Sequence, residues 1–90
     1  MTDITHNTNL RRFETTIDGI TAYLSYLDHG DTLIYNHTIV PSALGGQGIG
    51  KALTKHALYY AQAEGKKVAP TCSFVAAYIH KNPEYKHLLA

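Results

Sequence analysis

Two periods divide the chain. Residues 11–17 alternate, with Phe13, Thr15 and Ile17 on one face and Arg12, Glu14 and Thr16 on the other, the period-two mark of a half-buried strand. Residues 20–27 alternate again through Ile20, Ala22, Leu24 and Tyr26. Asp18-Gly19 between the two runs is a hairpin signal, because both positions of such a turn favour positive φ. Asp28-His29-Gly30-Asp31 marks the next turn, and residues 32–40 make a third strand. Over residues 48–64 the period lengthens: Ile49, Leu53, Ala57, Tyr60 and Ala61 recur at three- and four-residue steps, one buried face of a helix. Gly65 stands where a helix C-terminus places its left-handed residue. Residues 66–70, centred on Val68 and Ala69, read as a short strand. It should lie parallel to the third, since the helix must cross back over the sheet. Ser73 is expected to cap a second helix running to Lys81, with Phe74, Ala77, Tyr78 and the stem of Lys81 facing inward. Asn82-Pro83 then opens a last helical turn carrying Glu84, Tyr85 and Leu88. The expected fold class is α+β, an α/β sandwich in the order β-β-β-α-β-α, with an antiparallel meander and one parallel crossover. Residues 1–9 carry almost no apolar content and read as a flexible start to a single domain over residues 1–90.

Between the third strand and the first helix lies Gly45-Gly46-Gln47-Gly48-Ile49-Gly50-Lys51. A strand, a glycine-rich turn and a helix N-terminus together make an anion site. The first helical N–H groups lack intrahelical partners, and the macrodipole adds partial positive charge. The alternative is a plain connection that binds nothing. Two common phosphate motifs fail here. A P-loop needs Ser or Thr after the lysine, and Ala52 follows Lys51; the dinucleotide pattern needs a third glycine where Lys51 stands.

A third pattern fits. Gly48-Ile49-Gly50 followed by Lys51-Ala52-Leu53 resembles the pyrophosphate-binding loop of the GNAT N-acetyltransferase superfamily, Arg/Gln-x-x-Gly-x-Gly/Ala, with Gly45 standing where that family usually has Arg or Gln. His37-Thr38-Ile39-Val40-Pro41, Pro70-Thr71-Cys72-Ser73-Phe74 and Lys81-Asn82-Pro83-Glu84-Tyr85 are similar to the minimal, single-domain branch of the same superfamily. The resemblance runs from about Asn7 to Leu88 and implies a truncated GNAT fold without its usual last strands. It further implies an acetyl-CoA-dependent N-acetyltransferase acting on an amine acceptor that no residue pattern identifies. The coenzyme pyrophosphate would lie on the backbone of Gly45, Gly46, Gln47, Gly48, Ile49, Gly50 and Lys51. The pantetheine amides would bond the free edge of the third strand at Ile39 and Val40, and Asn82 and Tyr85 would approach from the far side. The rival is a non-catalytic acyl-CoA-binding or interaction module.

Two side chains are catalytic candidates. Cys72 precedes a helix N-terminus, where the dipole favours a thiolate. It could carry the acetyl group, line the thioester pocket, or pack as a small hydrophobe; the resemblance implies the first. His37, on the third strand, could deprotonate an amine or the Cys72 thiol, or could be a packed core histidine among Leu33, Tyr35 and Ile39. For Asn82 and Tyr85 the structural alternatives are a helix cap and core packing.

Composition narrows the rest. A net charge of +1 gives no field to attract nucleic acid or an anionic membrane. The seven tyrosines, without a basic stripe, read as packing residues. No metal is expected, since one Cys and histidines without ligand spacing cannot build a zinc site. That single Cys also excludes an internal disulfide and fits a reducing compartment. With no apolar signal core at the start and no membrane-length run, a cytoplasmic location is expected. Oligomeric state is open, although an exposed last strand could pair with a partner.

Overall fold

Alternation along the strands produces a sheet with one covered face. The computed structural model describes residues 3–90. Its five strands, β1 (Thr5–Asn7), β2 (Arg12–Ile17), β3 (Ile20–Asp28), β4 (Thr32–Ile39) and β5 (Lys67–Pro70), lie side by side in chain order. The first four pair antiparallel and β4 pairs with β5 parallel, across a connection made by helix α1 (Ile49–Ala63); helix α2 (Ser73–Lys81) follows β5. The Asp18-Gly19 hairpin forms as expected: both residues have positive φ, 52° and 77°, and Ile17 faces Ile20 across the turn.

Cross-strand partners share a face. Phe13 lies opposite Leu24, Thr15 opposite Ala22, Tyr26 opposite Tyr35 and Leu33 opposite Val68, and all eight are buried. Onto this face α1 brings Ile49, Leu53, Ala57, Leu58 and Ala61, and α2 brings Val75 and Ile79. The Tyr35 hydroxyl, buried at the centre, donates to the backbone carbonyl of Ala57, so sheet and helix are also joined by a hydrogen bond. Burial pushes that phenol far above its ordinary range. On the opposite face Arg12, Glu14, Tyr23, Ser25, Leu27 and Ile34 are half-buried or exposed. The molecule is a two-layer sandwich.

Four features depart from the expected pattern. The start is not loose at residues 5–7: Thr5 pairs with Glu14, His6 with Phe13 and Asn7 with Arg12, which makes the order β-β-β-β-α-β-α. A strand of Thr, His and Asn shows no apolar alternation, and it is held by polar and aromatic contacts instead. Residues 1 and 2 of the expected flexible start lie outside the described residues. In α2 the inward face is Val75 and Ile79; Phe74, Ala77 and Lys81 are exposed and Tyr78 is half-buried. A nine-residue helix with apolar residues nearly all round has no unique phase, and docking on the sheet sets it. Its N-cap is Cys72 rather than Ser73. At the far edge of the sheet, Leu89 bridges to Val68 and the Ala90 N–H donates to the Val68 carbonyl at 3.0 Å, so the outer side of β5 is partly covered by the chain itself.

The fourth departure is a β-bulge. Ser25 pairs with His37 but Tyr26 pairs with Tyr35, which leaves Asn36 as an extra residue on β4. The Ser25 hydroxyl donates to Asn36 Oδ1 at 2.8 Å and holds it on the open face. Beyond the bulge the strand changes phase. Thr38, opposite Leu24, turns toward the helices, while His37 and Ile39 turn away and are exposed.

The covered face can be checked on a single strand. Leu24→Ala, which empties a fully buried site, should cost about 2–5 kcal/mol. That is a large part of the ~5–13 kcal/mol expected for a domain of this size. Leu27→Ala, at a position 45 % exposed, should shift stability by no more than about 0.5 kcal/mol. Urea titrations of both variants make the comparison, and equal losses would contradict a one-sided sheet.

Candidate functional site

The two strands at the parallel end separate where the bulge begins. Pairing between β4 and β5 runs from Thr32–Lys67 to Tyr35–Pro70, and one further bond, Cys72 N–H to the Tyr35 carbonyl at 3.1 Å, closes it. From Asn36 onward β4 stays paired to β3 at His37, Thr38 and Ile39 but no longer to β5. The result is a fork with Ile39 and Val40 along one arm and Cys72 on the other.

Cys72 sits at the N-cap of α2 in an extended conformation, half-buried, with its sulfur 3.5 Å from Thr38 Oγ1. Burial pushes the thiol up. Hydrogen bonding to the Thr38 side chain and to the backbone of Val75, Phe74 and Thr38 outweighs it, and the thiol ends below its ordinary value. The side chain beside the sulfur is thus Thr38, a hydrogen-bonding group, rather than the titratable His37. His37 is exposed on the other side of the sheet, so the structure does not bring it to Cys72, and the packed-core alternative for His37 fails as well.

The glycine loop begins with a 3-10 turn over Ser42–Leu44, anchored by buried Leu44 and closed by the Gly45 N–H, which donates to the Ser42 carbonyl. Gly46 and Gly48 then take φ of 77° and 73°, and a Cβ added at either would meet nothing within 4 Å. The turn conformation, not crowding, requires glycine there. Gly48 is the N-cap of α1 and has no side-chain cap. The first helical bond is Ala52 N–H to the Gly48 carbonyl, so the N–H groups of Ile49, Gly50 and Lys51 precede the helical ladder. Gly50 has a different role. A Cβ there would lie 2.8 Å from Phe74 Cζ, so this glycine lets the N-termini of α1 and α2 approach.

Beside the loop, a 350 Å³ cavity between the two helices is lined by Lys51, Ala52, Lys55, Tyr78, Lys81 and Asn82. A 180 Å³ recess that shares Lys51, Tyr78 and Lys81 adjoins it under Phe74. Three lysines and no carboxylate line the larger cavity. Of these lysines, Lys51 is expected in the loop, Lys81 is expected only to pack its stem inward, and Lys55 carries no expectation. The i, i+4 spacing of Lys51 and Lys55 puts them on one side of a helix and was readable, but the approach of Lys81 from α2 depends on tertiary packing. Asn82 Nδ2 donates to the Tyr78 carbonyl at 2.9 Å, which makes it a cap at the end of α2, and the same residue lines the cavity. Tyr85 packs its ring 6.0 Å from that of Tyr78 and against the core, which is the packing alternative. Ile39 points its side chain outward and Val40 packs on the core, so either can contribute backbone at the fork.

Comparison with known proteins places these features in a family. The model of the GCN5-related N-acetyl-transferase family matches residues 12–88. Protein NATD1 of mouse is 33 % identical over 88 residues, covering 94 % of this chain and 80 % of its own length; the human protein is also 33 % identical, with 94 % and 78 % covered. The solution structure of a GCN5-like protein from Staphylococcus aureus superposes with a TM-score of 0.77 at 26 % identity, covering 98 % of this chain and 87 % of that one.

The thiol environment yields a pH prediction. Because the folded thiol lies below its usual value of 9.0, alkylation of Cys72 by iodoacetamide should rise at lower pH than in the urea-unfolded chain. Thr38→Val, which removes one of the groups that lower it, should move the midpoint up. A midpoint that Thr38→Val leaves unmoved would remove Thr38 from this role.

Proposed function

The chain belongs to the GCN5-related N-acetyltransferase family, and from that premise we propose that it binds acetyl-CoA and transfers the acetyl group to an amine. One observation carries the reading: the uncapped N-terminus of α1 and a three-lysine cavity share Lys51, and the strand that leads into this loop is the one that parts from β5 at the fork. The coenzyme is long, carries a pyrophosphate and a further phosphate toward one end, and has a thioester at the other. Its fit rests on features already described. The loop at Gly46, Gln47, Gly48, Ile49, Gly50 and Lys51 has backbone donors and open space above its positive-φ glycines. Lys51, Lys55 and Lys81 supply the remaining positive charge. The edge of β4 at Ile39 and Val40, released from β5, is free to bond amides.

At the fork, Cys72 is the group suited to accept an acyl chain. Its thiol, kept below its ordinary value by Thr38 and the start of α2, would lose its proton to solvent and attack the thioester carbonyl as the thiolate. The new S–C bond would form as the coenzyme C–S bond breaks and the coenzyme leaves as a thiolate. The acceptor amine would then attack the acetyl carbon, Cys72 would regain its thiolate, and the amine would release a proton to solvent or to the departed thiolate. Direct attack by the amine on the thioester needs no covalent step, and there Cys72 would only line the pocket. The rival reading, an acyl-CoA-binding module without catalysis, draws on the position of His37: the one candidate base faces away from the fork.

Titration of ¹⁵N-labelled protein with acetyl-CoA, beside ATP as a control phosphate ligand, tests the binding. Saturable shifts at residues 39–40 and 45–51 with acetyl-CoA are expected, and ATP should leave residues 39–40 unmoved. Lys81→Glu should weaken binding by up to roughly five-fold, the scale of an exposed ion pair. Equal responses to the two ligands would defeat the coenzyme reading. If binding holds, incubation with [¹⁴C]acetyl-CoA should label wild type but not Cys72→Ala; an amine panel acetylated equally by both would assign direct transfer.

A further inference from the structure

Strand β1 is short, polar and at the sheet edge, so something other than apolar burial must hold it. That residue is His6, opposite Phe13 on the covered face. Its ring stacks on Phe13 with centroids 4.4 Å apart and meets the edge of Tyr60 at 4.5 Å, and its Nε2 lies 2.6 Å from the Tyr26 hydroxyl. A histidine thus occupies the position that an apolar residue fills on the neighbouring strands. Just before it, Ile4 packs against the core and, with Ala52, Lys55, His56 and Tyr59 of α1, lines a 290 Å³ cavity.

We infer that β1 is a strap released by protonation of His6, which uncovers the Phe13–Tyr26–Tyr60 surface and removes Ile4 from the cavity wall. The groups facing His6 favour the neutral ring. From β2 it meets only Phe13, and the nearest carboxylate on that strand, Glu14, is already engaged by Arg12 at 2.6 Å and by Asn7. From β3 it meets the Tyr26 hydroxyl. From α1 it meets the Tyr60 ring, with His56 behind Phe13 and Glu64 further along. A neutral imidazole can accept from Tyr26 and stack on carbon, whereas an imidazolium would give up water for aromatic rings and stand near a second histidine. Burial lowers His6 from its ordinary 6.5, His56 lowers it further and Glu64 opposes in part. The sign follows. The docked strap binds a proton less readily than the released one, so docking is complete above pH 6.5 and weakens as pH falls below it. Ala52 and Lys55 line both this cavity and the lysine cavity, so release of the strap alters a wall next to the anion site. The inference does not depend on which ligand that site takes.

Amide exchange at residues 5–7, corrected for intrinsic rates and followed by NMR from pH 7.5 to 5, reads the docking directly. Protection at these amides should fall across the range while β3 and β4 stay protected. In His6→Phe, which keeps the stack and cannot titrate, protection should not change with pH. Protection that holds to pH 5 in the wild type, or that falls equally in His6→Phe, would overturn the strap. The His6 ring shifts give a second readout that needs no variant: a titration midpoint below 6.5 supports it, and a midpoint at or above 6.5 overturns it.

Discussion

Strand β4 carries one residue more than its partner can match, and the arrangement of the site depends on that surplus. Were Asn36 paired in an unbroken ladder, Tyr35, His37 and Ile39 would continue down one face, as the alternation predicts. Bulged out, it shifts the phase of the strand between Tyr35 and His37. Tyr35 stays in the core with its hydroxyl on Ala57. Thr38 turns in toward Cys72, and His37 turns out. Bulges also bend a strand, and the parting of β4 from β5 begins at the same residue, so one irregularity coincides with both the open edge and the side chain beside the thiol. The Ser25–Asn36 hydrogen bond pins the extra residue to the open face and fixes where the phase changes.

What could be read from residue order follows from how local each cause is. The Asp18-Gly19 hairpin, α1 and the glycine turn are set by neighbours within a few positions, and all three form where the pattern puts them. The parallel crossover is not local, but handedness and connection length leave few alternatives. The bulge was not readable, because Tyr35-Asn36-His37-Thr38 fits an unbroken strand equally well. The phase of α2 was ambiguous for a related reason: with Phe74, Val75, Ala77, Tyr78 and Ile79 in two and a half turns, several faces are apolar, and only contact with the sheet selects Val75 and Ile79. Strand β1 was missed because its stabilising contacts are a histidine stack and a tyrosine hydrogen bond, which no hydropathy pattern registers.

The one-sided sheet ties the candidate site to the core packing. All large buried side chains converge in a single layer between sheet and helices, and the site is built at the end of that layer, where the Phe74 ring lies over Gly50 between the two helix N-termini. The loop and the thiol are therefore held by the same packing that stabilises the fold. A change at Gly50 would act on both at once, since moving Phe74 disturbs the recess under it and the start of α2 that carries Cys72.

Net charge conceals the electrostatics of that end. The chain is only one positive charge from neutrality, so its net field is weak at long range. Among the described residues, however, the ion pairs are Arg12 with Glu14 and Lys66 with Asp28, both away from the glycine loop. Lys51, Lys55 and Lys81 are left to face one cavity without an acidic partner. Screening at physiological salt confines such charges to about 8 Å, so they act on a ligand already at the loop rather than on one approaching from a distance. Helix dipole, free N–H groups and three lysines add up over that short range. A near-zero net charge is in this way compatible with a strongly positive patch at one end of the molecule.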